Sequence, residues 1–315
     1  MMPFMQDTAK TFLTARGKGP VARRLRETLY KWLFTLLAFA SLAFLVGIIL
    51  TLVIQSLPLL SSYDLSGLLL GKAWYPTAEP PEFGMLPLIL ASLLVTLGAM
   101  LVCVPIGIGT ALFLHEIASP RQRAFLKPAI EILAGIPSIV YGFFGMVIMA
   151  PFLQDTLHLP TGLCAFTASV ILGIMATPTV ASLAEDALSF VPRSFREASL
   201  ALGANRWQTL TKVIVPAAGS GISTAIILGM SRAVGETMTV LMVAGGAAVI
   251  PRSLFEPVRP MTSTIAAEMG EAVMGSPHFH ALFAIGLILF LITLGINVVA
   301  EIVSRRFRLK LGLGR

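Results

Sequence analysis

Charge is scarce in this sequence: Asp, Glu, Lys and Arg make up 12% of 315 residues, well below the share of a soluble domain. With apolar residues at 56% and a mean hydropathy of +0.86, that deficit excludes an ordinary soluble globular fold and implies a bilayer as solvent. Cysteine is almost missing. Cys103 and Cys164 both fall in long apolar blocks, which reads as small packing residues and not as a disulfide framework. No Gly-rich loop ending in Gly-Lys-Ser/Thr is present, so the chain has no P-loop with which to hydrolyse ATP. His-Glu-x-x-His is also lacking, no serine has a base in register, and His278 with His280 finds no third ligand. No catalytic residue, no metal and no bound cofactor are therefore expected.

What is present is six apolar blocks, at 32–54, 86–114, 129–153, 162–184, 214–247 and 281–303. Each is near or above the roughly 20 residues that carry a helix across about 30 Å of hydrocarbon, so the expected fold is an all-α membrane protein of six transmembrane helices. The fifth block is too long for one straight crossing. Gly229, Gly235, Gly245 and Gly246 predict that it is tilted, kinked or broken. Lysine and arginine orient the chain: nineteen lie in the segments 1–31, 115–128, 185–212 and 304–315, against Lys72, Arg252 and Arg259 on the opposite side. Both termini are accordingly expected in the cytoplasm. The run at 32–54 is too long for a signal-peptide core, and Gln55-Ser56-Leu57-Pro58 is no cleavage site, so it is read as a membrane anchor. The net charge of +7 sits where anionic lipid headgroups answer it and calls for no nucleic acid.

The expected organisation is a basic cytoplasmic segment 1–31, a membrane domain 32–303 that includes a cytoplasmic loop 185–213, and a basic tail 304–315. Outside, the proline-bearing loop 55–85 is expected to hold little regular structure beyond one short helix, with Trp74 and Tyr75 at headgroup level. Residues 261–274 are expected to form a short helix at the outer mouth, with Thr262, Ser263, Thr264 and Glu268 lining it and Glu268 and Glu271 on one wetted face. Inside, Pro192 opens a helix that Gly203 interrupts, and a second helix follows the turn and leads to Ile214-Val215-Pro216 at the membrane. The apolar side of that lever (Phe195, Ala198, Leu202, Trp207, Leu210) needs a surface, either its own helices or a partner.

Arg232 is the one basic residue in the interior of a span, and Glu236 follows one helical turn later. A buried cation is costly unless it faces a bundle interior or an aqueous path, so Arg232 marks either an anion pathway or a closed pair with Glu236 that fastens two helices.

Glu197-Ala198-Ser199, Gly203, Ile214 and Pro216 resemble the cytoplasmic Glu-Ala-Ala loop of importer-type ABC permeases, with Ser199 in place of the second alanine. Glu131-Ile-Leu-Ala-Gly-Ile-Pro-Ser-Ile-Val-Tyr-Gly142 and Arg232-Ala-Val-Gly-Glu-Thr-Met-Thr-Val-Leu-Met-Val-Ala-Gly-Gly246 resemble the permeases of high-affinity phosphate importers, the PstC type more than the PstA type. The resemblance implies a type I importer permease fold and a bacterial inner-membrane protein that forms half of a translocation path. Its implied partners are a homologous second permease (PstA-like), two ATP-binding subunits (PstB-like) that hold ATP and Mg, and a periplasmic phosphate-binding protein (PstS-like). By the same resemblance Arg193, Glu197, Ala198, Gly203, Arg206 and Trp207 contact the ATPase, and Arg232, Glu236 and Thr237 line the substrate path. Another oxyanion, sulfate or molybdate, or a scaffold role in phosphate sensing, stands as the alternative.

Overall fold

The computed structural model describes the backbone of residues 20–310 and the side chains of 27–302, 304 and 305. Lys10, Arg16 and Lys18 of the basic amino-terminal segment, and residues 311–315 of the tail, lie outside the described residues. Packing divides the chain into two units, Met1–Leu52 and Val53–Arg315. The described part of the first is a stretch of one helix, α1 (Pro20–Ser62). The second holds everything discussed below.

Among the described residues five helices are long and apolar enough to cross a membrane: Glu27–Ser62, Leu86–Ile117, Ser138–Leu157, Ala165–Ser189 and Pro277–Ile302. A sixth is a broken pair, Arg206–Ala217 and Gly219–Val234, bent by 68°. In chain order the remaining elements are α2 (Leu65–Leu70), β1 (Trp74–Tyr75), β2 (Glu82–Phe83) and α3 (Leu86–Leu112), which a π turn prolongs to Ile117. Then come α4 (Pro120–Ala134), α5 (Ser138–Phe144), α6 (Ala150–Leu157), α7 (Ala165–Ser189), α8 (Arg193–Ala201), α9 (Arg206–Thr209) and α10 (Val215–Ala217). The series ends with α11 (Gly219–Val234), α12 (Met238–Val243), α13 (Met261–Glu268) and α14 (Pro277–Lys310).

Helix α7 is the centre of the bundle, with fifteen of its 25 residues buried. Small side chains allow this. Ala91, Val95 and Ala99 of α3 meet Ala165, Ala168 and Leu172 of α7, and Ala233 of α11 closes the same cluster. Lipid offers no hydrophobic drive between helices, so close approach of small residues supplies the dispersion contacts that hold such a bundle.

Four expectations need correction. The third crossing begins at Ser138 and not at 129, because Gly135-Ile136-Pro137 ends α4 before it: proline supplies no N–H and disfavours helical backbone at the residue before it. The fifth block is broken at Gly235, as expected, but also at Ala218, and Gly229 stays inside α11, buried among its neighbours. In the outer loop 55–85, α1 runs on to Ser62 through Pro58, and Trp74 pairs with Phe83 across a two-stranded antiparallel ribbon. Trp74 is 2% exposed and packed in protein, so it offers no ring to lipid headgroups, whereas its neighbour Tyr75 is exposed. The mouth helix stops at Glu268, short of the expected 274.

Candidate functional site: two broken helices around Arg232

Helix α4 opens with a capping box, in which Ser119 Oγ accepts from the Gln122 amide and Gln122 Oε1 accepts from the Ser119 amide, and with Pro120 in its first turn. It closes at Ala134, and after the Gly135–Pro137 break the chain re-enters helix as α5. Helix α11 likewise closes at Val234, and after Gly235–Thr237 the chain continues as α12. The two breaks face each other. Thr239 Oγ1 of α12 donates to the Ser138 carbonyl of α5 at 3.0 Å. Gly142 of α5 lies against α12 so closely that a Cβ there would come within 2.9 Å of Met242 Sδ, which no larger residue permits without a shift. Irregular backbone of this kind survives in a membrane where protein or a cavity satisfies it.

Arg232, half-buried, sits at this crossing. Its Nη1 donates to Thr179 Oγ1 and its Nη2 to the Ala134 carbonyl, each at 3.3 Å. Among the described residues no carboxylate lies within ion-pair distance of it. The closed pair with Glu236, the alternative to an anion pathway, is therefore not formed among the described residues. Its premise was an unbroken helix, and the chain leaves helix at Gly235, which removes the one-turn spacing. Glu236 Oε1 instead accepts from the Thr239 amide at 3.2 Å and caps α12, where a carboxylate is favoured by the exposed N–H groups. Thr237 turns its hydroxyl back to the Gly235 carbonyl at 3.3 Å.

The mouth residues divide. Thr262 Oγ1 donates to the Glu236 carbonyl at 2.7 Å, which brings α13 to the break, while Ser263 and Thr264 are buried and spend their hydroxyls on the Pro260 carbonyl. Glu268 is not wetted surface. It accepts from Arg259 Nη1 at 2.6 Å, meets His278 Nε2 at 2.9 Å and accepts from Trp74 Nε1 at 3.1 and 3.2 Å. Arg259 Nε also donates to the Gly246 carbonyl at 2.6 Å, so this carboxylate joins the outer ribbon, the mouth helix and the start of α14. Glu271 is exposed, as expected.

At the opposite end, α8 and α9 form the expected helix, turn and helix. Gly203 takes φ +85°, a backbone region that disfavours any side chain, and Asn205 with Gln208 makes a second capping box for α9. Ser199, the departure from the alanine pattern, meets Thr209 Oγ1 at 3.0 Å in a buried contact that ties the two helices. Of the lever's apolar side, Leu210 is buried in the bundle, but Leu202 is 90% and Trp207 69% exposed, with Phe195 exposed as well. Arg193, Glu197, Ala198 and Arg206 are exposed on the same lever.

Sequence reading missed the charges that hold this face together. Glu185, 0% exposed, accepts from Arg123 Nη2, from Lys127 Nζ at 2.6 Å and from Ser189 Oγ at 2.9 Å, and Lys127 also pairs with Asp186 at 2.6 Å. Burial works to lower the pKa of Lys127, but hydrogen bonds to Asp186 and Glu185 outweigh it and raise the pKa above the ordinary lysine value. Arg196 of the lever grips Glu116 with both terminal nitrogens. The available signal was the i, i+4 spacing of Arg123 and Lys127 on one helix face, opposite two adjacent acids at the end of a span.

Comparison with known proteins places the chain. Residues 103–309 match the model of the family described as "binding-protein-dependent transport system inner membrane component". A "probable ABC transporter permease protein YqgH" of Bacillus subtilis is 41% identical over 74% of this chain and 76% of its own length. A "phosphate transport system permease protein PstC" of Mesorhizobium japonicum is 35% identical over 87% of this chain and 89% of its own. Among solved structures, a bacterial alginate ABC transporter in complex with a periplasmic protein aligns with a TM-score of 0.63 at 14% identity, covering 89% of this chain and 96% of the matched chain, which establishes the shared fold. From a family match over most of the chain, relatives of this similarity along most of their length, and a bundle built as importer permeases are built, the chain belongs to the binding-protein-dependent transport system inner membrane components, the permeases of ABC importers.

Proposed function

We propose that this chain is one of the two membrane subunits of an ATP-driven phosphate importer, lying in the bacterial inner membrane with both termini in the cytoplasm. The observation that carries the reading is Arg232: a guanidinium inside the membrane-crossing region whose partners are a hydroxyl and a backbone carbonyl, both neutral and both long at 3.3 Å. Such a group is strong enough to admit an anion and free enough to exchange its weak partners for one. The relatives named as phosphate permeases support phosphate as that anion. The exposed apolar side chains of the lever support a protein partner there, an ATP-binding subunit that holds ATP and Mg; a related second permease completes the path, and a periplasmic phosphate-binding protein delivers to the mouth at α13. Domains follow from this reading: a basic cytoplasmic segment 1–31, the permease domain 32–303 with its coupling lever inside 185–213, and a basic tail 304–315.

The test is reconstitution. The four kinds of subunit in liposomes should accumulate labelled phosphate when ATP is supplied, and omission of either the companion permease or the ATPase should abolish uptake. This chain purified alone should hydrolyse no ATP. Uptake that needs no ATPase, or ATP hydrolysis by the pure chain, overturns the division of labour.

A further inference from the structure

At the carboxy end of α4 two consecutive carbonyls are held by two different donors. Tyr141 Oη donates to the Leu133 carbonyl at 3.0 Å, and Arg232 Nη2 donates to the Ala134 carbonyl at 3.3 Å. Tyr141 comes from α5 and Arg232 from α11, so a phenol and a guanidinium from opposite sides of the two breaks are set down next to each other. The last carbonyls of a helix lack intrahelical partners, which is why they attract donors. The two are not equivalent. Leu133 O also accepts from the Ile136 amide at 3.3 Å and keeps a partner if Tyr141 leaves, whereas Arg232 is the partner that the described residues provide for Ala134 O.

We propose that Tyr141 is a second oxyanion ligand beside Arg232, and that the Ala134 carbonyl makes the site selective for a tetrahedral oxyanion that keeps a hydroxyl near neutral pH. This rests on the reading of Arg232 as part of an anion path. When both donors turn from the carbonyls to an anion, the guanidinium supplies charge and the phenol supplies a neutral donor. Ala134 O then loses the donor that the described residues give it. Phosphate and arsenate carry a hydroxyl that can donate to it, and sulfate, fully deprotonated, cannot. A site built with a matched acceptor rejects an anion that leaves this acceptor bare, just as it accepts one that fills it. Thr179 Oγ1, released by Arg232 Nη1, is an amphoteric neighbour that serves either as donor or as acceptor.

The experiment uses the assembled complex in lipid nanodiscs without the periplasmic binding protein, and measures equilibrium binding of labelled inorganic phosphate in competition with arsenate and sulfate. Wild type should bind phosphate and arsenate about tenfold or more tightly than sulfate, the scale of one unfilled polar contact. Tyr141→Phe, which keeps the ring, should weaken phosphate binding by about three- to tenfold, the scale of one neutral hydrogen bond, at matched abundance of complex. Equal binding of sulfate and phosphate by wild type, no phosphate binding at all, or wild-type affinity in Tyr141→Phe each overturns the proposal. The wild-type preference needs no variant to fold. ATP-driven phosphate uptake by the wild-type complex, followed in parallel, separates the two levels: uptake with a failed binding result overturns this inference alone, and no uptake overturns the transport reading beneath it.

Discussion

At the scale of single residues the question is what an arginine does inside a membrane. Sequence identified Arg232 as the cation that has to meet something polar, and the structure keeps it there with neutral partners. Of the two roles open to it, pairing with Glu236 fails for a definite reason: the spacing Arg232 to Glu236 implies contact only along continuous helix, and Gly235 ends the helix between them. Arg232→Gln retains a donor and removes the charge, so phosphate uptake by the complex should fall about tenfold or more, the scale of a lost charge-assisted hydrogen bond. Arg232→Gln combined with Glu236→Gln should transport no better than Arg232→Gln, because no ion pair is being removed in balance. Uptake restored toward wild type in the double variant, at equal complex abundance, would falsify the assignment of Arg232 to the path. Tyr141 carries no such signal, since nothing in a lone tyrosine reveals that its hydroxyl caps the end of the preceding helix.

Elements were legible in proportion to how far periodicity and composition decide them. Long apolar blocks gave the crossings, but a block cannot report the point at which an apolar helix stops and another starts, so α4 and α5 were merged across Gly135–Pro137. The lever was legible because its signals are local: a proline before a helix and a glycine in its middle. Ser199 is a case where the departure from a pattern has a use, since an alanine there has no hydroxyl for Thr209. Gly203 at φ +85° makes a sharp prediction. Gly203→Pro demands φ near −65° and deletes the amide that donates to the Leu200 carbonyl, so the lever should lose its shape, and substrate-stimulated ATPase of the complex should drop severely while membrane insertion stays normal. Full stimulation in a normally inserted Gly203→Pro complex places the coupling elsewhere.

On the scale of the whole molecule, charge is concentrated at the two ends of the bundle and nearly excluded between them. Glu268 gathers Arg259, His278 and Trp74 at one end; Glu185 gathers Arg123 and Lys127 at the other. Glu185 is fully buried while its cations are each about a third exposed, so Glu185→Ala strands charges that water partly recovers. The loss of stability should be about 3 kcal/mol, near the lower end for breaking a buried pair, and Glu116→Gln, facing a partly exposed Arg196, should cost about 1 kcal/mol or less. Thermal unfolding of the purified chain in detergent measures both, and equal losses contradict the difference in burial. Between these ends no described residue gives Arg232 a counter-charge, and this has an electrical consequence. A living membrane is held negative inside, and one elementary charge crossing 100 mV gains or loses about 2.3 kcal/mol, so any passage wide enough for an oxyanion invites potassium ions and protons to run inward. On the reading proposed above, in which Arg232 lines that passage, its fixed positive charge raises the energy of every inward-moving cation while it lowers that of the anion, so that one side chain both receives the cargo and keeps the membrane sealed between deliveries.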